Sequence, residues 1–412
     1  MKKQKILIIF VLATFLLTAV LAGCNPAGPS DSDPQSSGPE PTKATINLRV
    51  WGSQEDQAML QTMINAFKAE YTDAEYNITL GVVGEGEAKT KFLEDPAAAA
   101  DVFQFANDQI IDLVNAGALY EVTRNKDAII AANMASAIEA STVNDRLYAY
   151  PSTADNGYFM YYDKSVFTED DVKSLDKMLE VAEAAGKKVF MDVSNGWYIA
   201  SFFLGAGGTL TVGEDGKQIC DFNNERGVLA GEAIKAFTAH PAFLTGDDAV
   251  LTGGMGTTIA AGVSGTWNAV AIEEKLGENY AATKLPTFTL GTEQVQMSSF
   301  AGFKLVGVNS QTQHPVAAMT LAEWLTNEAN QILRFETRQM GPSNINAAQS
   351  EEVLANVALA ALANQNQFAV SQKYVLGSYW GPAEAFGAEM EAKNYTKSVK
   401  ELLDEMVAQI QQ

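Results

Sequence analysis

The sequence predicts an α/β fold divided over two domains. Strand and helix patterns alternate along the chain, about 370 residues follow an apolar leader and a polar tether, and the apolar share of 47% is enough to build cores of ordinary size. Residues 46–51 alternate as a strand. Met59, Leu60, Met63, Ile64 and Phe67 then recur at helical spacing within 54–71. Residues 77–83 read as a second strand, 85–93 as a short helix and 101–105 as a buried strand. A helix over 110–116 is stopped by Gly117. Alternation on this scale gives a parallel sheet with right-handed crossovers. Farther along, short strands at 147–151 and 158–162 flank a polar elbow at 152–157. A helix at 175–185 and a strand at 189–192 follow. Long helices are expected at 224–238 and 315–337, and an amphipathic helix at 398–410. No internal repeat of fixed period is present.

The beginning of the chain sets the compartment. Lys2, Lys3 and Lys5 precede an almost wholly apolar run, 6–21, which ends in Leu21-Ala22-Gly23-Cys24. A basic flank, a short apolar core and small residues read as a secretory signal, 1–23. The apolar core is slightly short for a membrane span. The Leu-Ala-Gly-Cys run resembles the bacterial lipobox. That resemblance implies cleavage before Cys24, acylation of its thiol, and anchoring on the extracytoplasmic face of a bacterial cell membrane. Residues 24–43 form a tether rich in Pro, Ser, Gly and Asp, with a coil reach of roughly 25 Å.

Composition excludes several classes. The formal net charge is −22, and −25 without the three leader lysines. Such a surface argues against nucleic acid and against electrostatic membrane docking, and suits an exported monomer whose only membrane contact is its lipid. The two cysteines are Cys24 and Cys220, so acylation of the first leaves the second without an intrachain partner. Two histidines, His240 and His314, leave little for a metal centre or a His-based catalyst, and no cofactor motif is present. Gly262-Val263-Ser264-Gly265-Thr266 lacks the last glycine of a nucleophile elbow. Gly205-Ala206-Gly207-Gly208 lacks the third glycine of a dinucleotide loop, because Leu210 stands there.

Several segments, in order, resemble the maltose/maltodextrin-binding proteins among the family 1 extracellular solute-binding proteins. They are Leu48-Arg49-Val50-Trp51 before an amphipathic helix, residues 101–108, Asn115-Ala116-Gly117-Ala118-Leu119, and Arg146 to Pro151 leading to Tyr161-Tyr162-Asp163-Lys164. Gly265-Thr266-Trp267, Leu285-Pro286-Thr287-Phe288, a strand containing Gly302, and Ser378-Tyr379-Trp380 complete the series. The resemblance implies a two-lobed periplasmic-binding-protein-like fold with a hinge and an interlobe ligand cleft. One lobe would hold 44–153 plus 304–350, the other 154–303 plus 351–412. It further implies an oligosaccharide ligand, no enzymatic activity, and delivery to the transmembrane subunits of an ABC importer.

A sugar site needs flat aromatic surfaces for C–H faces and convergent polar groups for hydroxyls. By the resemblance, Trp197, Trp267 and Trp380 are the platforms and Phe105 replaces a further tryptophan. Trp267 and Trp380 stand beside Gly265 and Gly381, and Trp197 follows Asn195-Gly196, a turn signal. Trp51 ends a strand, where a structural role and a ligand contact are equally open. The polar candidates are Glu55, Asp108, Asp155, Tyr150 and Asn195. Asp108 also suits a helix cap, and Glu55 a helix N-terminus. The chain departs from the family pattern at Glu55-Asp56, where Asp-Lys is expected. It departs again at Gln109 and Glu384, where arginines are expected, at Asn195 for a glutamate, and at Gly381 for an aromatic. These changes point away from maltose itself and toward a longer or differently linked oligosaccharide. The rival readings are a secreted glycosidase, which needs two opposed carboxylates, and a receptor of the same fold for a non-sugar solute such as a polyamine, which also favours aromatics and carboxylates.

Overall fold

A computed structural model describes residues 43–411. Cys24 and the leader lie outside the described residues, as does the tether up to residue 42. Eleven strands, numbered in chain order, form two main sheets. They are β1 (Thr45–Gly52), β2 (Glu75–Val82), β3 (Val102–Ala106), β4 (Tyr150–Gly157), β5 (Phe159–Asp163), β6 (Lys188–Phe190), β7 (Phe243–Leu244), β8 (Ile259–Ser264), β9 (Tyr280–Thr283), β10 (Ser299–Val308) and β11 (Ala369–Ser371). The first sheet runs β11-β10-β3-β1-β2, with β4 also paired to β10; the second runs β7-β6-β8-β5-β9. Each sheet anchors one α/β lobe.

In the first lobe β1 pairs in parallel with both β2 and β3. Leu48 and Val50 alternate inward from β1, and helix α1 (Gln57–Glu70) buries Met59, Leu60, Met63, Ile64 and Phe67 on the same core. The periodicity seen in sequence is therefore the inward face of each element. In the second lobe β6 pairs in parallel with β7 and β8, while β5 runs antiparallel to β8 and β9. Helix α2 (Gly196–Gly205) sits in this lobe's core, contributing Ile199, Phe202 and Phe203. The last helix, Val399–Ile410, opens with a capping box between Ser398 and Glu401.

Two expectations are corrected. The polar elbow at 152–157 is strand β4, paired antiparallel to β10 with register shifts near Lys304. Its Ser, Thr, Asp and Asn side chains are buried, so the composition that reads as a turn belongs to a buried strand: Asp155 and Asn156 find polar partners, while the Ser152 and Thr153 hydroxyls have none among the described residues. The helix expected over 315–337 is two helices, α3 (Pro315–Leu325) and α4 (Glu328–Arg338). The break is capped by Asn327, whose side chain accepts from the Asn330 N–H at 2.9 Å. The indole of Trp324 donates to the Met63 carbonyl at 2.9 Å, which fixes α3 against α1.

Candidate functional site

β1, β2 and β3 run in one direction, so the turns after their C-terminal ends gather at one edge of the first sheet. Ligands bind outside such strand ends in open α/β sheets. Ser53 and Glu55 follow β1, Gly84, Glu85 and Gly86 follow β2, and Asp108 and Gln109 follow β3. These residues line one wall of a cleft of about 660 Å³. Volumes of this size suit small-molecule sites. Asn195, Trp197, Asp248, Trp267, Asn268, Trp380 and Glu384 line the other wall. Asn156 of β4, Lys304 of β10, and Gln372 close the floor.

The three tryptophans sit at helix starts rather than in loops. Asn195 caps α2, accepting from the Trp197 N–H at 3.0 Å. Trp267 lies in a 3-10 turn, Thr266–Asn268, ahead of helix Ala269–Leu276. Trp380 is the first residue of helix α5 (Trp380–Glu391). All three are half-buried, as a platform with one open face requires. The Trp267 ring lies against Gly265, where a Cβ would come within 2.0 Å of it. Its indole N–H donates to Asp248 at 3.0 Å, and the Lys304 ammonium stands 5.5 Å from its ring centroid. The Trp197 and Trp267 rings are 5.7 Å apart and tilted by 41°. Gly196 packs on Trp380 and Ala383, and Gly381 leaves open space beside Trp380.

The opposite wall is polar and bound to itself. Asp56 is buried between Arg334 at 2.6 Å and Arg338 at 3.2 Å. Burial works against its charge, but those guanidiniums and Lys304 hold its carboxyl below the usual range. Gln109 donates to the Glu85 and Gly86 carbonyls at 2.7 and 3.0 Å and accepts from the Lys89 N–H at 2.8 Å, so it braces a loop where a ligand-facing arginine was expected. Lys304 stands 3.7 Å from Glu85. Burial pushes Asp108 up to about 7, opposed by a hydrogen bond from Gln372 and by Lys89. Desolvation also raises Asp248, against hydrogen bonds from Trp267 and Asn268, and raises Glu384.

Of the sequence candidates, Trp197, Trp267, Trp380, Asp108, Asn195 and Glu55 are brought together on this cleft. Phe105, Tyr150 and Asp155 are not. Phe105 is fully buried beside Phe103, because β3 is an interior strand covered on both faces. Tyr150 is buried in the core under α1 and α3. Asp155 points away from the cleft and accepts from the Thr266 hydroxyl at 2.5 Å and the Gly341 N–H at 2.7 Å. Its neighbour Asn156 faces the cleft instead, as alternation along β4 demands. Trp51 packs edge-on to Phe103 and over Gly81. Sequence reasoning missed Asn156, Asp248, Lys304 and Gln372. Asn156 was signalled only by strand parity, and the others meet the cleft through tertiary contacts alone.

Among the described residues no helix is long and apolar enough to cross a membrane, and no cluster of three or more His, Cys, Asp or Glu side chains could hold a metal ion. Cys220 is buried and unpaired, its thiol pushed up to about 12 by burial.

Comparison with known proteins agrees with this geometry. A solved structure of a protein with acarbose is 30% identical over 89% of this chain and 99% of that one, with a TM-score of 0.81. Maltodextrin binding protein MalE1 from L. casei BL23, solved without ligand, is 26% identical over 90% and 100% of the two chains, with a TM-score of 0.73. The Thermus thermophilus maltotriose binding protein bound with maltotriose shares the fold at 19% identity, with a TM-score of 0.75 over 88% and 99%. No curated protein matches the chain. The model of the bacterial extracellular solute-binding protein family matches residues 62–361. Two lobes, a cleft at the strand ends and a family match across most of the chain lead to one assignment: this chain belongs to the bacterial extracellular solute-binding proteins.

Proposed function

We propose that the protein is the receptor of a bacterial ABC importer, binding an oligosaccharide of maltodextrin type in the cleft and presenting it to the transmembrane subunits. Three half-buried indoles opposite a wall of carboxylates and amides carry this reading. Indole faces stack on the C–H faces of pyranose rings, and ionised acceptors make the stronger hydrogen bonds to hydroxyls. The similar proteins described with acarbose, maltodextrin and maltotriose support it. Trp197, Trp267 and Trp380 serve as platforms, and Asp108, Glu55 and Asn195 as polar contacts, with Asn156 added. The lobes divide at 153/154, 303/304 and 350/351, and the first two points fall inside the adjacent strands β4 and β10, which suit a hinge. Acylated Cys24 and the tether hold the receptor on the extracytoplasmic face.

Titration of the purified mature chain with maltotriose, followed by tryptophan emission and calorimetry, tests the reading. Saturable binding without product formation is expected; turnover would mean an enzyme. One observation favours a second ligand class: Glu55, Asp248 and Glu384 face the cleft with no ion-pair partner among the described residues. Spermidine in the same titration decides this, since a polyamine receptor would bind it tightly and lose affinity steeply with salt.

A further inference from the structure

We propose that Gln372 is the positioning residue of the cleft, a single buried amide that fixes the Trp197 platform and the Asp108 carboxylate in one hydrogen-bonded array. The role rests on the sugar-binding reading above, while the array consists of the protein's own hydrogen bonds.

Gln372 lies just after β11, in a short turn, Gln372–Tyr374, and is 4% exposed. Its Oε1 accepts from the Trp197 indole N–H at 3.0 Å and from the Asn156 amide at 3.1 Å. Its Nε2 donates to Asp108 Oδ1 at 2.6 Å. These partners come from three places: α2 of the second lobe, the strand β4, and the turn after β3 in the first lobe. The orientation of the amide is decided by chemistry. An indole N–H only donates and an ionised carboxylate only accepts. A flipped amide would set its NH2 against the indole donor and its oxygen against the carboxylate. Both lone pairs of Oε1 are used, so neither partner can move without losing an acceptor.

The surrounding backbone makes room for this group. A Cβ on Gly302 of β10 would lie 2.8 Å from Gln372 Oε1 and 2.8 Å from Asn107 Oδ1. The next residue, Lys373, ties the turn outward by donating to the carbonyl and carboxylate of Glu139, each at 2.7 Å. The amide is thus held from behind while its polar end faces the cleft.

Two consequences follow for ligand binding. With Oδ1 of Asp108 committed to Gln372, Oδ2 is the oxygen offered to a hydroxyl. The same bond favours the ionised carboxylate. Besides Gln372, the groups acting on Asp108 are Lys89 of the helix Ala88–Glu94, its own backbone N–H, and Asp112 of the following helix. Lys89 is bound to Asp112 at 2.5 Å, so Gln372 is the neighbour whose removal changes Asp108 most directly.

The test uses the mature chain and the Gln372→Leu and Gln372→Glu variants, read first without ligand by the indole N–H resonance of Trp197, assigned with Trp197→Phe. In the wild type this resonance should follow Asp108 with a midpoint of about 7, and Asp108→Asn should abolish that dependence. Gln372→Leu should shift the resonance and remove its pH dependence. Gln372→Glu keeps an acceptor for Trp197 but sets a second carboxyl against Asp108; the two share one proton, so the resonance should stay near its place while its midpoint moves away from about 7. With maltotriose as probe, Gln372→Leu should weaken binding on the order of tenfold, and that loss should shrink in a Trp197→Ala background. An unchanged Trp197 resonance and titration in both variants would overturn the proposal, as would losses that simply add in the double variant. Failure of the wild type to bind maltotriose would reject the sugar reading instead, leaving the ligand-free resonance to decide the role of Gln372.

Discussion

The two walls of the cleft are built on opposite plans. The wall from the first sheet uses turns after parallel strands, and much of its polar surface is satisfied by the protein itself: Asp56 by two arginines and Gln109 by the 85–86 carbonyls, while Glu85 stands 3.7 Å from Lys304 with a buried oxygen that has no hydrogen-bond partner among the described residues. The facing wall uses helix starts and leaves indole surface half open. A wall that satisfies its own polar groups contributes stability and shape. A wall that leaves apolar area partly wet has free energy to gain from a ligand. Substitutions at the paired groups of the first wall should therefore move the melting curve, and those at the indoles of the second should move affinity.

The largest effect is expected at the buried ion pair. Arg334→Met leaves Asp56 buried with Arg338 as its remaining arginine, and should cost about 3–5 kcal/mol in denaturant unfolding. A loss below about 1 kcal/mol would mean the wall is not held in this way. Next, Asp108 makes stability depend on pH. Its folded pKa of about 7 lies above the usual value of 3.8, so the folded state binds the proton more tightly than the unfolded chain. That contribution is complete below about 4 and is lost as pH rises through about 7, at ~1.4 kcal/mol per pH unit within the window. Asp108→Asn should flatten the slope, which thermal melts across the range would show.

On the second wall, Trp267→Ala should weaken maltotriose binding by about 2 kcal/mol, roughly thirtyfold, with little change in melting temperature. If the melt drops and affinity holds, the contrast between the walls is wrong. The smallest effect belongs to Glu55, which is exposed and has no ion-pair partner among the described residues. Glu55→Gln should change stability by less than about 0.5 kcal/mol, and calorimetry should show at most a few-fold change in affinity.

The family resemblance singles out the three tryptophans that reach the cleft; residue pattern alone sets the alternation of strand and helix, the inward faces of β1 and α1, and the terminal amphipathic helix. These features depend on local periodicity and on neighbours within one turn, so a linear reading contains them. Tertiary structure alone decided the rest. Strand parity sends Asn156 into the cleft and Asp155 behind it, a difference of one residue that no spacing reveals without knowing which face of β4 is covered. Packing on both faces of β3 buries Phe105, and the floor of the cleft is closed by Lys304 and Gln372, which lie about 200 and 265 residues beyond Asp108 in the chain. Such contacts are set by how two sheets are placed against each other, and no local pattern encodes that placement.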